Sequence, residues 1–203
     1  MKNNTLSRNS KYKFIKKALI SLYGQKDTQT ILNSAEIHYA LSAAVCKNAT
    51  AGEWQHLNNT ILPTIATYKA LLEFDKETAL KNTHKIIIDL CLWGNKWLNR
   101  FLMLPAGKSF FMKLLPRMAI KLFGKECGFD YENYTVTRTL LQMDMTVCPY
   151  CKYAKILDCP ELTPIFCESD FATYGNLRGI KFERTETLGT GGKKCDFRFE
   201  RTS

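Results

Sequence analysis

The rhythm of apolar residues changes once along this chain, and the change divides it. From Ile31 to about Gly124 they recur in steps of three and four, the spacing of helices that bury one face. After Gly124-Lys-Glu-Cys-Gly128 the step becomes two: Tyr134, Val136, Arg138 and Leu140 alternate with Thr135, Thr137, Thr139 and Leu141, a composition suited to strands. Helices followed by strands predict an α+β fold, with a helical N-terminal half packed on a C-terminal antiparallel sheet. The 203 residues suit one domain, which can bury roughly 70% of its unfolded surface without disulfides. The expected division is a polar, basic and partly loose segment over 1–30, then a single domain over 31–203, helical over 31–128 and sheet-forming over 129–203.

Within the helical half, Asn33-Ser34 can start a helix through Ala35–Val45. A second is expected over Glu53–Phe74, kinked or split at Pro63. A third starts at Asp75 as N-cap. Its stripe of Leu80, Thr83, Ile87, Leu90, Gly94, Trp97 and Phe101 is the cleanest in the chain, and Gly94 would admit a close neighbour. Lys113, Arg117, Lys121 and Lys125 then recur every four residues beside Leu114, Leu115, Met118, Leu122 and Phe123. That is the solvated face of a core helix, with a weak membrane-surface contact as the minor alternative. In the sheet half, 149–158 and 164–177 suit helices. Residues 180–188 and 194–201 flank Gly189-Thr-Gly-Gly192 as a β-hairpin.

The net charge of +10 is scattered, with no basic block interleaved with aromatics. A small-molecule substrate is therefore expected rather than nucleic acid. Apolar runs fall short of the ~20 residues that span a bilayer, and no secretory signal is evident. A cytoplasmic setting is expected, where cysteines act as buried hydrophobes, metal ligands or nucleophiles.

Five of the eight cysteines fall within Cys148–Cys195. Cys148-Pro-Tyr-Cys151 has metal or redox spacing, and with Cys167 and Cys195 it could complete a four-thiolate zinc site. Thr163-Pro164 reads as N-cap and first residue of a helix, which would put Cys167 in the first turn, where the dipole favours a thiolate. Asp170, three residues on, shares its face and could move a proton; a buried thiol beside a solvated carboxylate is the structural alternative. In the hairpin, Cys195, Phe197 and Phe199 share one face. Arg184 falls on the core face of the partner strand, free either to grip an anionic substrate or to pair internally with Glu186 or Asp170. His38, His56 and His84 are isolated and read as structural.

The segments Cys159-Pro-Glu-Leu-Thr-Pro-Ile-Phe-Cys167-Glu-Ser-Asp170, Phe182-Glu-Arg-Thr-Glu-Thr-Leu188 and Gly191-Gly-Lys-Lys-Cys195-Asp-Phe-Arg-Phe199, with Asn58-Asn-Thr-Ile-Leu-Pro upstream, resemble the L-2-amino-thiazoline-4-carboxylic acid hydrolase family over roughly residues 55–201. More distantly, the C-terminal part is similar to small-molecule-binding domains of the 4-vinyl reductase type, which are often not catalysts. The hydrolase resemblance implies opening of a cyclic amidine to a carbamoyl-cysteine. Cys167 or a nearby water would attack and Asp170 would carry the proton. Arg184, Cys195 and Asn59 would contact substrate. A divalent metal (Zn or Mn), if present, would sit on Cys148, Cys151, Cys167 and Cys195.

Overall fold

The computed structural model describes residues 5–202. Residues 1–4 of the basic start and the terminal Ser203 lie outside the described residues. The start, expected to be partly loose, is helical from Tyr12: α1 runs Tyr12–Val45, bent at Gly24, whose φ of 77° suits glycine. The start is held by burial of Leu6 ahead of the helix and of Ile15 and Leu19 within it. Leu6 N donates to Glu36 Oε1 at 2.8 Å, which fixes the chain entering the helix.

The second expected helix is split before Pro63. α2 (Ala51–His56) opens on a capping box, in which Thr50 Oγ1 accepts from the Glu53 amide and the Glu53 carboxylate accepts from the Thr50 amide. A single π-helical turn, Leu57–Ile61, then leads into α3 (Leu62–Phe74). Proline lacks the amide that would continue the regular ladder, and the turn accommodates that loss. Asp75 closes α3, and its carboxylate holds the Thr78 hydroxyl ahead of α4 (Ala79–Leu102). The buried stripe of α4 is Ala79, Thr83, Ile86, Ile87 and Leu102. Leu80 and Trp97 face solvent, and among the described residues no other element comes within 4 Å of a Cβ placed at Gly94, so the buried face keeps Thr83 and Ile87 of the expected stripe but not its ends. α5 (Gly107–Phe123) exposes Lys113, Arg117 and Lys121 and buries Met112 and Ala119; Lys125 follows, exposed, in a 3-10 turn.

The sheet half contains β1 (Asp130–Val136), β2 (Leu140–Val147), α6 (Pro149–Ile156), α7 (Thr163–Tyr174), β3 (Ile180–Glu183) and β4 (Cys195–Arg201). The strands form one antiparallel sheet in the order β1-β2-β4-β3, so the fold is α+β. Its register explains its two faces. Leu141, Met143 and Met145 on β2 stand opposite Phe199, Phe197 and Cys195 on β4, giving a largely apolar face. Gln142 and Asp144 stand opposite Arg198 and Asp196 on the other side. There Lys194 Nζ donates to Asp144 at 2.7 Å.

The hairpin is shorter than its sequence pattern. Asp196 Oδ1 accepts the amides of Thr185 and Glu186 at 2.8 and 2.9 Å, peeling the chain off the ladder after Glu183. Residues 184–194 thus form a loop lying against α7. That helix packs on the sheet through Phe171 and Tyr174, whose rings meet Phe182 at 5.1 and 5.8 Å. Among the described residues, no helix is long and apolar enough to cross a membrane.

Candidate active site

Between the apolar sheet face and helices α5, α6 and α7 lies a cavity of about 330 Å³. Cys148, Cys151, Cys167, Asp170 and Cys195 all line it. Residues separated by up to 47 positions therefore meet on one wall system, because β2 feeds α6 and β4 returns beside β2.

Cys167 is the fifth residue of α7, one position deeper than the sequence suggests. A 3-10 turn at Pro160–Leu162 precedes the helix, Thr163 is its first residue, and no side chain caps it. Hydrogen bonding, rather than the helix terminus, is the main source of the thiol's acidity. The Cys167 thiol falls to about 6, chiefly because the Cys195 thiol donates to it; burial opposes this, while the Thr187 hydroxyl, the Gly189 amide and the nearby Arg184 charge assist. The partner pays the reverse cost, since Cys195 is pushed far up by the same hydrogen bond and by burial. The Leu188 amide donates to Cys195 Sγ at 3.3 Å. The segment 187–189 is thus a cradle of donors around two sulfurs. Gly189 is required in it: a Cβ there would lie 2.5 Å from Cys167 Sγ and 2.8 Å from Thr163 Cγ2.

Asp170 is one turn further along α7. Its side chain keeps 31% of its surface accessible, and it lines the cavity. Burial lifts its carboxyl to about 7 against the pull of Arg184, with the Cys167 charge adding to the rise. Arg184 Nη1 donates to Asp170 Oδ2 at 2.6 Å and Nη2 to the Cys167 carbonyl at 2.7 Å. Its guanidinium is sandwiched near Phe171 and Phe197, and its side chain is 3% exposed. Arg184 does not line the cavity. The pair that forms is the internal alternative with Asp170, and the Arg184 charge lowers the pKa of both Cys167 and Asp170.

Cys148 and Cys151 form a second hydrogen-bonded thiol pair at the start of α6. Among the described residues, no three Cys, His, Asp or Glu side chains gather as a metal ion needs. The thiols pair off two by two, so the donor set does not fit the zinc or manganese site expected on Cys148, Cys151, Cys167 and Cys195. Cys159 is buried in the helical core, its thiol pushed up to about 11 by burial. Asn59 is exposed and borders a separate shallow surface pocket with Arg8 and Asn9. Its neighbour Thr60 reaches the cavity instead.

Two groups on the cavity wall carried no sequence signal. Lys11 is the one cation among its described lining residues, and its Nζ donates to Thr60 Oγ1 at 2.9 Å. It is held there by Asn9, whose Oδ1 accepts the Lys11 amide at 2.9 Å and whose Nδ2 donates to the Asn58 carbonyl at 2.6 Å. Burial lowers the Lys11 pKa. Tyr150 also lines the cavity. His56 Nε2 lies 2.6 Å from the Leu122 carbonyl and so must donate, leaving Nδ1 to accept from the Tyr150 hydroxyl at 3.1 Å. His56 is thereby structural, with burial favouring its neutral form. The other two histidines bind surface carboxylates, His38 on Glu73 and His84 on Glu168, each at 2.8 Å.

A helical layer covers one face of an antiparallel sheet, and the cavity between them brings together Cys148, Cys151, Cys167, Asp170 and Cys195. Residues 54–199 match the L-2-amino-thiazoline-4-carboxylic acid hydrolase family, and the chain belongs to that family. The match takes in Cys167, Asp170, Arg184 and Cys195 but not Lys11. No curated protein and no solved structure matches the chain.

Proposed function

We propose that this protein is a thiolate-dependent hydrolase that opens a 2-aminothiazoline-4-carboxylate-like cyclic amidine to an N-carbamoyl cysteine, within the cytoplasm. The observation that carries this is the Cys167 thiol, held near a pKa of about 6 on a cavity wall one helical turn from a carboxyl at about 7. A nucleophile and a proton carrier are thereby both in usable form near neutrality.

In the first step the Cys167 thiolate adds to the amidine carbon C2. The C=N electron pair moves onto the ring nitrogen, which takes its proton from protonated Asp170. The tetrahedral adduct then breaks its C2–ring sulfur bond, and the departing sulfur takes the proton of Cys195. Cys195 is suited to this because its resting hydrogen bond to Cys167 loses its purpose once the Cys167 sulfur is a neutral thioether. Water next attacks C2 and gives one proton to the Asp170 carboxylate. Collapse expels the Cys167 thiolate and leaves a urea carbonyl, whose second proton returns to Cys195. All three side chains end as they began, and one water is consumed.

The direct test is incubation of the protein with 2-aminothiazoline-4-carboxylate, following release of free thiol. Turnover that disappears in Cys167→Ser supports the proposal. Turnover untouched by both Cys167→Ser and Asp170→Asn contradicts these roles. One observation favours a second reading: the sheet side of the cavity is largely apolar, as in a ligand-binding module. A small molecule that co-purifies with the wild type and is released unchanged would support that reading.

A further inference from the structure

The cavity is larger and more divided than an aminothiazoline carboxylate needs. A cavity of about 150 Å³ accommodates benzene. The parent ring acid, with about nine non-hydrogen atoms, would need about half as much again on that scale. The cavity of about 330 Å³ therefore leaves roughly 100 Å³ over, room for about four carbons.

The walls show what the extra space suits. Lys11, Cys91, Ser169, Asp170 and Thr173 come from the start of α1, from α4 and from α7. They are close enough that the Cys91 thiol neighbours Ser169 and Thr173 and feels both the Lys11 and the Asp170 charges. The surface supplied by α5, β2 and the loop before β1 is instead Leu115, Met118, Phe129, Leu141, Met143 and Met145. Lys11 donates to Thr60 and, among the described residues, has no carboxylate within ion-pair distance. An ammonium has three donors, so two remain for a ligand. A largely buried charge without a counter-charge is costly, and an anionic ligand would offset that cost.

We propose that the cavity takes an amphipathic anion: a cyclic amidine whose carboxylate is held by Lys11 and Thr60, and whose apolar substituent of about four carbons fills the space beside Leu115, Met118 and Met143. The cyclic amidine rests on the proposed function; the anion site and the apolar wall do not. The anchoring cation thus comes from the segment before the family match.

The test is titration calorimetry on the full chain carrying Cys167→Ser, which removes turnover. The ligands are 2-aminothiazoline-4-carboxylate, its 5-methyl to 5-butyl homologues, and each compound without its carboxylate. Affinity should rise about fourfold per methylene up to butyl. Adding Lys11→Met should weaken the carboxylate ligands about tenfold or more and leave the decarboxylated ones unchanged, whereas Lys11→Arg should keep the preference for the acid. Affinity flat or falling with chain length overturns the apolar arm. Equal weakening of both ligand sets by Lys11→Met overturns the anchor, even in a partly destabilised variant, since the comparison is made within one protein. If both trends hold while the wild type hydrolyses none of the series, the hydrolase proposal fails and this one stands. If the wild type hydrolyses the parent while both trends are absent, this one fails alone.

Discussion

The protein contains two thiol pairs on one cavity, and they differ in what surrounds them. Cys148 and Cys151 sit at the start of α6, and the hydrogen bond between them raises the Cys148 pKa and lowers that of Cys151. Beyond each other their donors are only backbone groups of their own turn, and the Cys167 charge opposes ionisation of Cys151. Cys167 and Cys195 also share one proton, but Cys167 is further served by Thr187, Gly189 and the Arg184 charge from a loop far away in sequence. The pair with conspicuous spacing is thus the plainer one. A thiolate is made by converging donors, and a Cys-x-x-Cys motif on a helix terminus supplies fewer of them here than an irregular loop does.

The largest effect expected from this contrast is on turnover. Cys167→Ser should lower kcat/KM by about 10³-fold or more, whereas Cys151→Ser should change it by no more than about twofold; steady-state kinetics on both variants checks this. Asp170→Asn should cost about 10²–10⁴-fold and remove the alkaline limb of the pH profile. In the wild type, Cys167 must be ionised and Asp170 protonated for the first step. Activity therefore rises through about 6 and falls through about 7, a narrow bell in kcat/KM. Gly189→Ala puts a methyl against Cys167 Sγ and Thr163. It should cost about 1–3 kcal/mol of stability and raise the Cys167 pKa by displacing its amide donor, readable by denaturant unfolding and by alkylation against pH. The smallest effect is that of Arg184→Met. Arg184 lowers both Cys167 and Asp170, so its loss should move both limbs of the bell to higher pH, by about one unit, with the bell shape kept.

The sequence pattern gave access to much of this arrangement, and its failures have physical causes. The switch from helical to strand periodicity located the α+β division. The alternation through Cys195, Phe197 and Phe199 gave the sheet face that floors the cavity. Cys167 lies one residue deeper in α7 than Thr163-Pro164 suggests, because the 3-10 turn from Pro160 already feeds the chain into the helix and Thr163 is its first residue rather than its cap. Asn59 and Thr60 lie in a π-helical turn, which adds a residue and rotates every face after it, so regular helical spacing could not tell which one reached inward. On α4 the aromatic Trp97 suggested burial, but its ring is exposed and meets Trp93 edge-to-face at 6.0 Å, with Arg100 above it. The partners of Arg184 and Lys11 lie beyond any local pattern. Arg184 finds its carboxylate 14 residues away and is consumed, while Lys11 crosses 49 positions to Thr60 and keeps donors to spare.

Alkylation of the wild-type protein by iodoacetamide across pH 4–10, with the modified cysteine located by mass spectrometry, reads the ionised sulfur directly. Cys167 should react first, with a midpoint near 6. First labelling at Cys151, or a Cys167 midpoint at the ordinary thiol value near 9, would contradict the donor cradle and the chemistry built on it.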